Sequence, residues 1–400
     1  MPLHALHFTF LNKIPMLRLM PLFALPLLCC ACKENPPPSC EPNPVSPGLV
    51  WQASVFQNND MVLPPFVYGD HIGYATGFTN TQLTLVNGTD GHDSTDYQWY
   101  APRLNEGTWL EGDYLYWTLS GDLWRRHLPS GAIELLGSIG PGDSGSGEYT
   151  EGLAAPFEGL VAGSFREKSM TDRDFVIGVF DMASQRELFR YQVYDSQITT
   201  NLGDPVLGRT ATGDTVLAFV ETTRRKLLIF NLSTQDSVQV ELPAGENYFA
   251  YSRNIHLREG RIFLGLRASV YCFDAATGAQ IWKRQEGDLL RVSWLRFKNN
   301  RLLFNSNNQH LYALDPVTGN TIWDNEIAGR MGTNPHVWEN TLFYTDMEVQ
   351  QPILHGIDLD TGCTTTRFDG LIKGSGGLIG ITSKGYFIIY IGDLLAAYSL

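Results

Sequence analysis

Short segments in which apolar and polar residues alternate recur along the last third of the chain, and each ends in the same turn. Residues 270–278 are VYCFDAATG, and residues 311–319, about 40 positions further on, are LYALDPVTG. Residues 356–362 are a third copy, GIDLDTG. The alternation predicts a half-buried strand. The Asp and Thr predict side-chain hydrogen bonds to the turn backbone, and the Gly predicts a positive φ.

Each copy belongs to a larger unit of about four short strands. Residues 260–265 and 300–305 predict further strands upstream of the two clearest copies, and Trp282 or Trp323 begins the strand after the turn. Weaker copies continue the series towards the N-terminus, at residues 83–85, 122–127, 180–185 and 230–235. A meander of four strands in about 40 residues has the size of one propeller blade.

The two ends of the series complement each other. After the seventh unit the chain holds only three predicted strands, at residues 377–380, 386–390 and 394–398. The missing fourth strand is present near the start, at residues 49–52, in the form that ends other blades. The sequence therefore predicts an all-β, eight-bladed β-propeller of four-stranded antiparallel blades over residues 48–400, with the N-terminal strand completing the last blade and closing the ring.

The repeated pattern Leu-Tyr-Ala-Leu-Asp-x-x-Thr-Gly followed by Trp resembles the pyrroloquinoline-quinone-like (PQQ-like) repeat of the quinoprotein-alcohol-dehydrogenase-like superfamily. The resemblance is strong over residues 246–370 and thinner over 49–245. That superfamily includes quinone-dependent alcohol dehydrogenases, outer-membrane assembly lipoproteins and many binding propellers. The resemblance therefore implies the fold and leaves the function open.

The N-terminal segment resembles a bacterial lipoprotein signal. Positive charge at Lys13 and Arg18 precedes a short apolar run, and Ala31 stands directly before Cys32. We expect residues 1–31 to be removed and Cys32 to carry the lipid, although Cys29 occupies a position where leucine is usual. An ordinary cleaved signal peptide is the alternative. The start of the remaining chain, Lys33-Glu34, partly resembles lipoproteins of the Bacteroidetes type, although Asn35 stands in place of a second acidic residue.

Residues 32–47 are rich in proline, which predicts an extended tether between the lipid and the propeller. The predicted location is the cell envelope, as an outer-membrane lipoprotein on either the periplasmic or the surface side. The formal net charge of −13 argues against nucleic acid as a partner. We expect a monomer that contacts the membrane through its N-terminal lipid.

Few cysteines remain once the signal and the lipid-bearing Cys32 are set aside. They are Cys40, Cys272 and Cys363, too few for a disulfide framework. A single bridge is compatible with three cysteines. We expect Cys272 and Cys363 to be small core or turn residues, because they fall in repeats that are not neighbours.

The sequence carries little that indicates catalysis. The quinone-dependent dehydrogenases of the superfamily have two adjacent cysteines at the cofactor, and the adjacent pair here, Cys29 and Cys30, lies in the signal segment. The chain has no nucleophile elbow, phosphate-binding loop or zinc pattern of histidines and cysteines. We therefore expect no cofactor, and we keep a quinone- or metal-dependent oxidoreductase or lyase with a site in the central channel as the alternative.

Two groups of residues are candidate ligand sites. Asp90, Asp93 and Asp96 form an acidic loop that could collect calcium, although a solvated insertion between strands is the interpretation that we favour. A second group consists of Trp109, Trp117 and Trp124. These rings are either core or face the channel mouth, where they could stack on a ligand such as a sugar.

The most economical hypothesis is a lipid-anchored propeller that acts as a protein- or ligand-binding scaffold without catalysis. An envelope protein or an extracellular glycan is the expected partner. Loops on a rigid scaffold are common binding elements, and residues 137–150 and 164–173 are the longest candidates. A structural envelope lipoprotein without a discrete ligand is a further alternative.

Overall fold

The computed structural model describes much of the chain from residue 43 onwards. The described residues are 43–45, 48–54, 61–76, 81–99, 109–119, 122–138, 149–168, 173–195, 203–222, 224–244, 254–266, 269–285, 292–306, 309–327, 331, 335–346, 353–368, 371, 376–391 and 394–399. The chain divides into Met1–Ser39 and a compact unit, Cys40–Leu400. The signal segment and Cys32 lie outside the described residues. No helix in the described parts is long and apolar enough to cross a membrane.

The strands of the compact unit follow each other in chain order. Two strands precede the first blade: β1 (Asn43–Val45) and β2 (Gly48–Ser54). Blade 1 contains β3 (Met61–Tyr68), β4 (His71–Thr76), β5 (Thr81–Asn87) and β6 (Asp93–Trp99). Blade 2 contains β7 (Trp109–Glu111), β8 (Tyr114–Leu119), β9 (Asp122–His127) and β10 (Ile133–Ser138). Blade 3 contains β11 (Tyr149–Leu153), β12 (Leu160–Lys168), β13 (Arg173–Asp181) and β14 (Arg186–Asp195).

The second half repeats this arrangement. Blade 4 contains β15 (Val206–Arg209), β16 (Thr215–Glu221), β17 (Lys226–Asn231) and β18 (Ser237–Glu241). Blade 5 contains β19 (Ile255–Arg258), β20 (Arg261–Gly265), β21 (Ser269–Asp274) and β22 (Gln280–Gln285). Blade 6 contains β23 (Val292–Lys298), β24 (Arg301–Ser306), β25 (His310–Leu314) and β26 (Thr321–Glu326). Blade 7 contains β27 (His336–Trp338), β28 (Thr341–Asp346), β29 (Ile353–Asp358) and β30 (Thr364–Phe368), and blade 8 contains β31 (Gly376–Ile381), β32 (Phe387–Ile391) and β33 (Leu394–Ser399).

The predicted eight-bladed propeller is confirmed, including its closure. Within each blade the successive strands pair antiparallel, and β2 pairs antiparallel with β33 to complete blade 8. First strands of neighbouring blades lie close together, as β15 does to β19 and β31 to β3, which places them at the centre of the ring. Eight hydrophobic clusters fill the eight junctions between blades, so the core is a closed ring of interfaces.

One turn recurs between the third and fourth strands of blades 1 to 7. The residue that ends the turn has a positive φ in each of these blades: Gly91, Gly131, Gln185, Gln235, Gly278, Gly319 and Gly362. In the clearest copies an Asp accepts a backbone hydrogen bond, as Asp315 does from Thr318 N at 3.0 Å. The turn chemistry that the sequence predicts is therefore the one that the structure uses.

At three of the junctions that the structure describes, the tryptophan ring of one blade packs on the turn of the next blade, and its indole N–H donates to a carbonyl there. We call this contact a tryptophan clamp. The ring of Trp323 in blade 6 lies against the turn of blade 7, where a Cβ on Gly362 would be 2.6 Å from Trp323 Cδ2. The indole N–H of Trp323 donates to the Leu359 carbonyl at 2.9 Å. Trp282 and Trp51 make the same contacts with the next blade, and all three rings are largely buried.

The junction between blades 7 and 8 has no such clamp. Thr366 occupies the position of Trp323, since each pairs with the third strand just before a register shift. Blade 8 also has no turn for a ring to cover, because its fourth strand comes from the N-terminus. Instead β1 adds to the outer edge of blade 7, pairing parallel with β30. Within the predicted tether, residues 43–45 are thus a strand.

The cysteines differ from one another. Cys272 is free and fully buried, as expected of a core residue. Cys363 follows a turn but is disulfide-bonded, so the prediction that it serves only as a small turn residue is wrong. The sequence could not show this, because the strand that approaches β30 is part of a proline-rich segment.

Candidate functional site

The antiparallel meander gives the ring two different ends. One end carries the connections between first and second strands and between third and fourth strands, and we call it the turn face. The opposite end carries the connections between second and third strands and between blades, most of which lie outside the described residues. The site described below lies on the turn face, since residues of two of its turns, Gly69 and Ser383, line it.

A cavity of about 510 Å³ opens between the inner strands of blades 7, 8 and 1. Strands β27, β31 and β3 supply its walls, and the turns after β3 and β31 supply part of its rim. The lining residues are Pro65, Phe66, Val67, Gly69, His336, Trp338, Ile379, Gly380, Ile381 and Ser383. Because most of these side chains are apolar or aromatic, the cavity suits an apolar group with few polar contacts.

His336 is the titratable side chain in this wall. Burial and the positive charge of Arg296 in the neighbouring inner strand lower the pKa of His336 to about 4. The imidazole is therefore neutral at pH 7. A neutral ring can exchange one hydrogen bond with a ligand but adds no positive charge.

A second partly buried histidine with a lowered pKa lies two blades away. Nε2 of His256 in β19 is 2.7 Å from the Leu295 carbonyl, and Arg296 donates to the same oxygen at 3.0 Å. Burial and the Arg296 charge lower the pKa of His256 to about 4, against the effect of the Leu295 hydrogen bond. Since His256 has a partner and does not line the cavity, we assign it to packing between blades 5 and 6.

The rim of the cavity is polar where blades 8 and 1 meet. Ser383 and Lys384 in the turn after β31 contact the carboxylate of Asp70, with Lys384 Nζ at 3.2 Å. The hydrogen bond from Ser383 is the main reason that the pKa of Asp70 lies below its ordinary value. Between blades 7 and 8 the corresponding contact is apolar, because Gly385 faces the ring of Trp338.

The three candidate tryptophans do not share one wall. Trp117 and Trp124 face each other across β8 and β9, with ring centroids 6.5 Å apart, in the core between blades 1 and 2. Trp109 packs with Tyr114 and Tyr116 in the core between blades 2 and 3. The structure thus separates Trp109 from the other two, and a ligand role for the three stays a prediction.

The candidate calcium loop is only partly described. Asp90 lies in the turn of blade 1 and accepts the backbone N–H of His92 at 3.0 Å. Asp93 and Asp96 belong to β6, and their side chains lie outside the described residues. Among the residues whose side chains are described, no group of three or more His, Cys, Asp or Glu could hold a metal ion.

The two predicted binding segments are largely strand at their ends. Residues 137–138 belong to β10 and 149–150 to β11, and the residues between them are outside the described part. Residues 164–168 continue β12, and residue 173 begins β13, where Lys168 pairs with Arg173. Residues 164–168 and residue 173 of the second segment are thus strand, the residues between them lie outside the described part, and a binding role for either segment stays a prediction.

The sequence did not identify the cavity residues. Trp338 directly precedes the turn of blade 7, where the same position holds Arg258 in blade 5, Lys298 in blade 6 and Tyr68 in blade 1. A tryptophan at a position where these other blades have a polar or amphipathic residue is the signal that could have identified the site. It is visible only after the inner strands are aligned.

Comparisons with known proteins support the fold. The family model described as outer membrane protein assembly factor BamB matches residues 266–365. The crystal structure of the computationally designed Ika8 protein has a TM-score of 0.59 with 13% identity, and the match covers 86% of this chain and 98% of that one. At this identity the likeness concerns the fold alone.

Two further solved structures are more distant. BamB from Moraxella catarrhalis has a TM-score of 0.49 and 13% identity over 88% of this chain and 100% of that one. A chain of the Mitotic Checkpoint Complex has a TM-score of 0.46 and 10% identity over 72% of this chain and 84% of that one. A search of curated proteins gave no match.

Proposed function

Because this chain is a β-propeller with PQQ-like repeats, we propose that it is a lipid-anchored protein of the bacterial cell envelope that binds another protein as a non-catalytic scaffold. The matching family model is that of an outer membrane assembly factor, which favours a protein partner in the envelope. The lipid anchor rests on Cys32 and the segment before it.

The observation that carries the proposal is the cavity at the centre of the turn face. A volume of about 510 Å³ with Phe66 and Trp338 in its walls is large enough for one or two apolar side chains. Aromatic pockets of this kind, surrounded by polar contacts, are typical anchor points in protein interfaces.

We propose that the occupant is a protein segment with an aromatic or aliphatic side chain flanked by basic residues. The apolar walls select the side chain, and neutral His336 can exchange one hydrogen bond with a polar group of the bound segment. The basic flanks follow from charge complementarity, since the chain has 42 acidic and 29 basic residues. Exposed acidic residues such as Glu339, beside Trp338, lie on this face.

In-cell crosslinking followed by affinity capture of the full-length protein tests the proposal, with both proteins and glycans identified. We expect one specific protein partner. Trp338→Ala should reduce its recovery about tenfold, as expected for loss of an interface anchor. Val317→Ala is the matched control, because Val317 is 56% exposed and lies in a turn of the same face, at the outer part of blade 6.

A Cys32→Ala version tests the anchor separately. Loss of the partner from this version, with the purified propeller still folded, would show that binding in the cell depends on the membrane anchor. Recovery of a glycan without a protein would contradict the proposed partner class. Equal recovery by the Trp338 and Val317 variants would contradict the proposed site.

A further inference from the structure

The junction between blades 7 and 8 is built differently from the clamped junctions, and one short segment covers it. Strand β1 pairs with β30 of blade 7, and β2 pairs with β33 of blade 8. Only residues 46 and 47 separate the two strands. The N-terminal segment is therefore bonded to both blades at the place where the ring closes.

This segment stands where a tryptophan clamp is missing. Asn43 of β1 lies opposite Thr366, which occupies the position that Trp323 has in blade 6. Backbone pairing over three residues replaces the ring contact and the indole hydrogen bond of a clamped junction. Such a short parallel pairing is weak alone, so a further constraint is expected there.

A covalent constraint is present on the same strand pair. Cys363, one residue before β30, is disulfide-bonded, and Cys272 is free. The partner is therefore one of the four remaining cysteines, Cys29, Cys30, Cys32 and Cys40. All four lie outside the described residues.

The register of β1 distinguishes among these four. Asn43 lies opposite Thr366 and Val45 opposite Phe368, in parallel order. Cys40 precedes Asn43 by three positions, and Cys363 precedes Thr366 by the same three. The compact unit of the chain also begins at Cys40. We propose that a Cys40–Cys363 disulfide fastens the N-terminal segment across the junction of blades 7 and 8 as a covalent strap.

The strap gives the ring a closure that strand pairing alone does not provide. The bridge joins residues about 320 positions apart, and constraining a loop of that length removes much of the conformational entropy of the unfolded chain. A force on the chain before Cys40 would also reach blade 7 through the bridge, leaving β1 and β2 in place. Both effects follow whichever partner the propeller binds.

Formation of the bridge needs an oxidant. Two thiols lose two protons and two electrons, and a disulfide-bonded oxidoreductase of the exported compartment accepts them by thiol–disulfide exchange. A mixed disulfide forms first on one cysteine, and the second thiolate then displaces the oxidoreductase in its reduced form. The strap therefore agrees with export of the chain.

Mass spectrometry of the full-length protein, isolated from envelopes with thiols blocked and digested without reduction, identifies the bridge. We expect one linked peptide pair containing Cys40 and Cys363, and Cys272 in the blocked, free form. A link from Cys363 to Cys29, Cys30 or Cys32 would overturn the proposal, and so would Cys40 in the blocked form.

Thermal unfolding of variants that lack the disulfide tests whether the bond stabilises the fold. Cys40→Ser and Cys363→Ser should each lower Tm by about 3–7 °C, and the double variant should lower it no further. Reductant should lower the Tm of the native protein and of Cys32→Ala, but leave the serine variants unchanged. If the decreases in Tm add up in the double variant, or if reductant does not change the Tm of the native protein, the proposed strap is contradicted.

Discussion

The junction between blades 6 and 7 and the junction between blades 7 and 8 join similar blades by different means. In the first, the Trp323 ring covers Gly362 and its N–H donates to the Leu359 carbonyl. In the second, Thr366 replaces the ring, blade 8 has no matching turn, and β1 covers the edge. A clamp thus joins a ring on one blade to a turn on the next, and the junction between blades 7 and 8 lacks both parts.

Removal of the ring should have the largest effect. Trp323→Ala deletes a buried side chain between two blades and removes one of two donors to the Leu359 carbonyl, which also accepts from Arg301 at 2.6 Å. The free energy of unfolding should therefore fall by about 3–5 kcal/mol, mainly through the cavity that is left. Thr366→Ala at the unclamped junction should cost less than about 1 kcal/mol. Chemical denaturation of both variants measures the difference, and equal costs would refute the distinction between the junctions.

Acid should destabilise the folded chain through His256 and His336. The folded pKa of His256 and of His336 is about 4, whereas an unfolded histidine titrates near its model value of 6.5. The unfolded chain therefore binds more protons between these values, and stability is present above about pH 6.5 and lost as the pH falls towards 4. Each histidine should cost roughly 2 kcal/mol between about pH 7.5 and about pH 5.

Denaturation of His256→Gln and His336→Gln at both pH values isolates these contributions. Each variant should lose less stability on acidification than the native chain does. His256→Gln should also cost stability at neutral pH, because His256 contacts the Leu295 carbonyl between clamped blades. If neither substitution changes the loss of stability in acid, the lowered folded pKa values of the two histidines are contradicted.

The turn under the clamp is the next most sensitive position. Gly362→Ala places a Cβ 2.6 Å from Trp323 on a residue with φ of 75°, so both crowding and backbone strain apply. We expect a loss of about 2–3 kcal/mol. Gly112→Ala is the control, because Gly112 has φ of 54° and nothing within 4 Å of the added Cβ. A loss of about 1 kcal/mol is expected there, and identical losses would contradict the clamp.

Polar contacts on the turn face should matter least. Lys384 is largely exposed and pairs with Asp70 across blades 8 and 1. Lys384→Ala should change the free energy of unfolding by no more than about 0.5 kcal/mol, and high salt should reduce the effect further. Denaturation at low and high salt checks this, and a loss comparable to that of Trp323→Ala would reverse the order of importance.

The fold could be predicted because each repeat contains its own strand and turn signals within a short segment of the sequence. Each turn needs a positive φ and a polar side chain, and residues such as Asp315 and Gly319 mark these needs in the sequence. The closing strand was also predictable, since blade 8 ends one strand short and residues 49–52 supply it. Both signals lie within single segments of the chain.

The cavity and the strap could not be predicted because each combines distant segments. Phe66, His336 and Ile379 come from three inner strands that share no sequence motif, so their meeting depends on the ring. The strand pairing of residues 43–45 was hidden in a proline-rich stretch, and Cys363 follows an ordinary turn. A pattern confined to one segment carries no information on such contacts.

Site-specific photocrosslinking in the cell tests the scaffold proposal most directly. A photoreactive aromatic amino acid replaces Trp338 in the cavity wall in one strain and the exposed Val317 on the outer turn of blade 6 in another. We expect one covalent protein adduct from position 338 and none from position 317. Adducts from position 317 alone, or none from either position, would contradict a protein partner seated in this cavity.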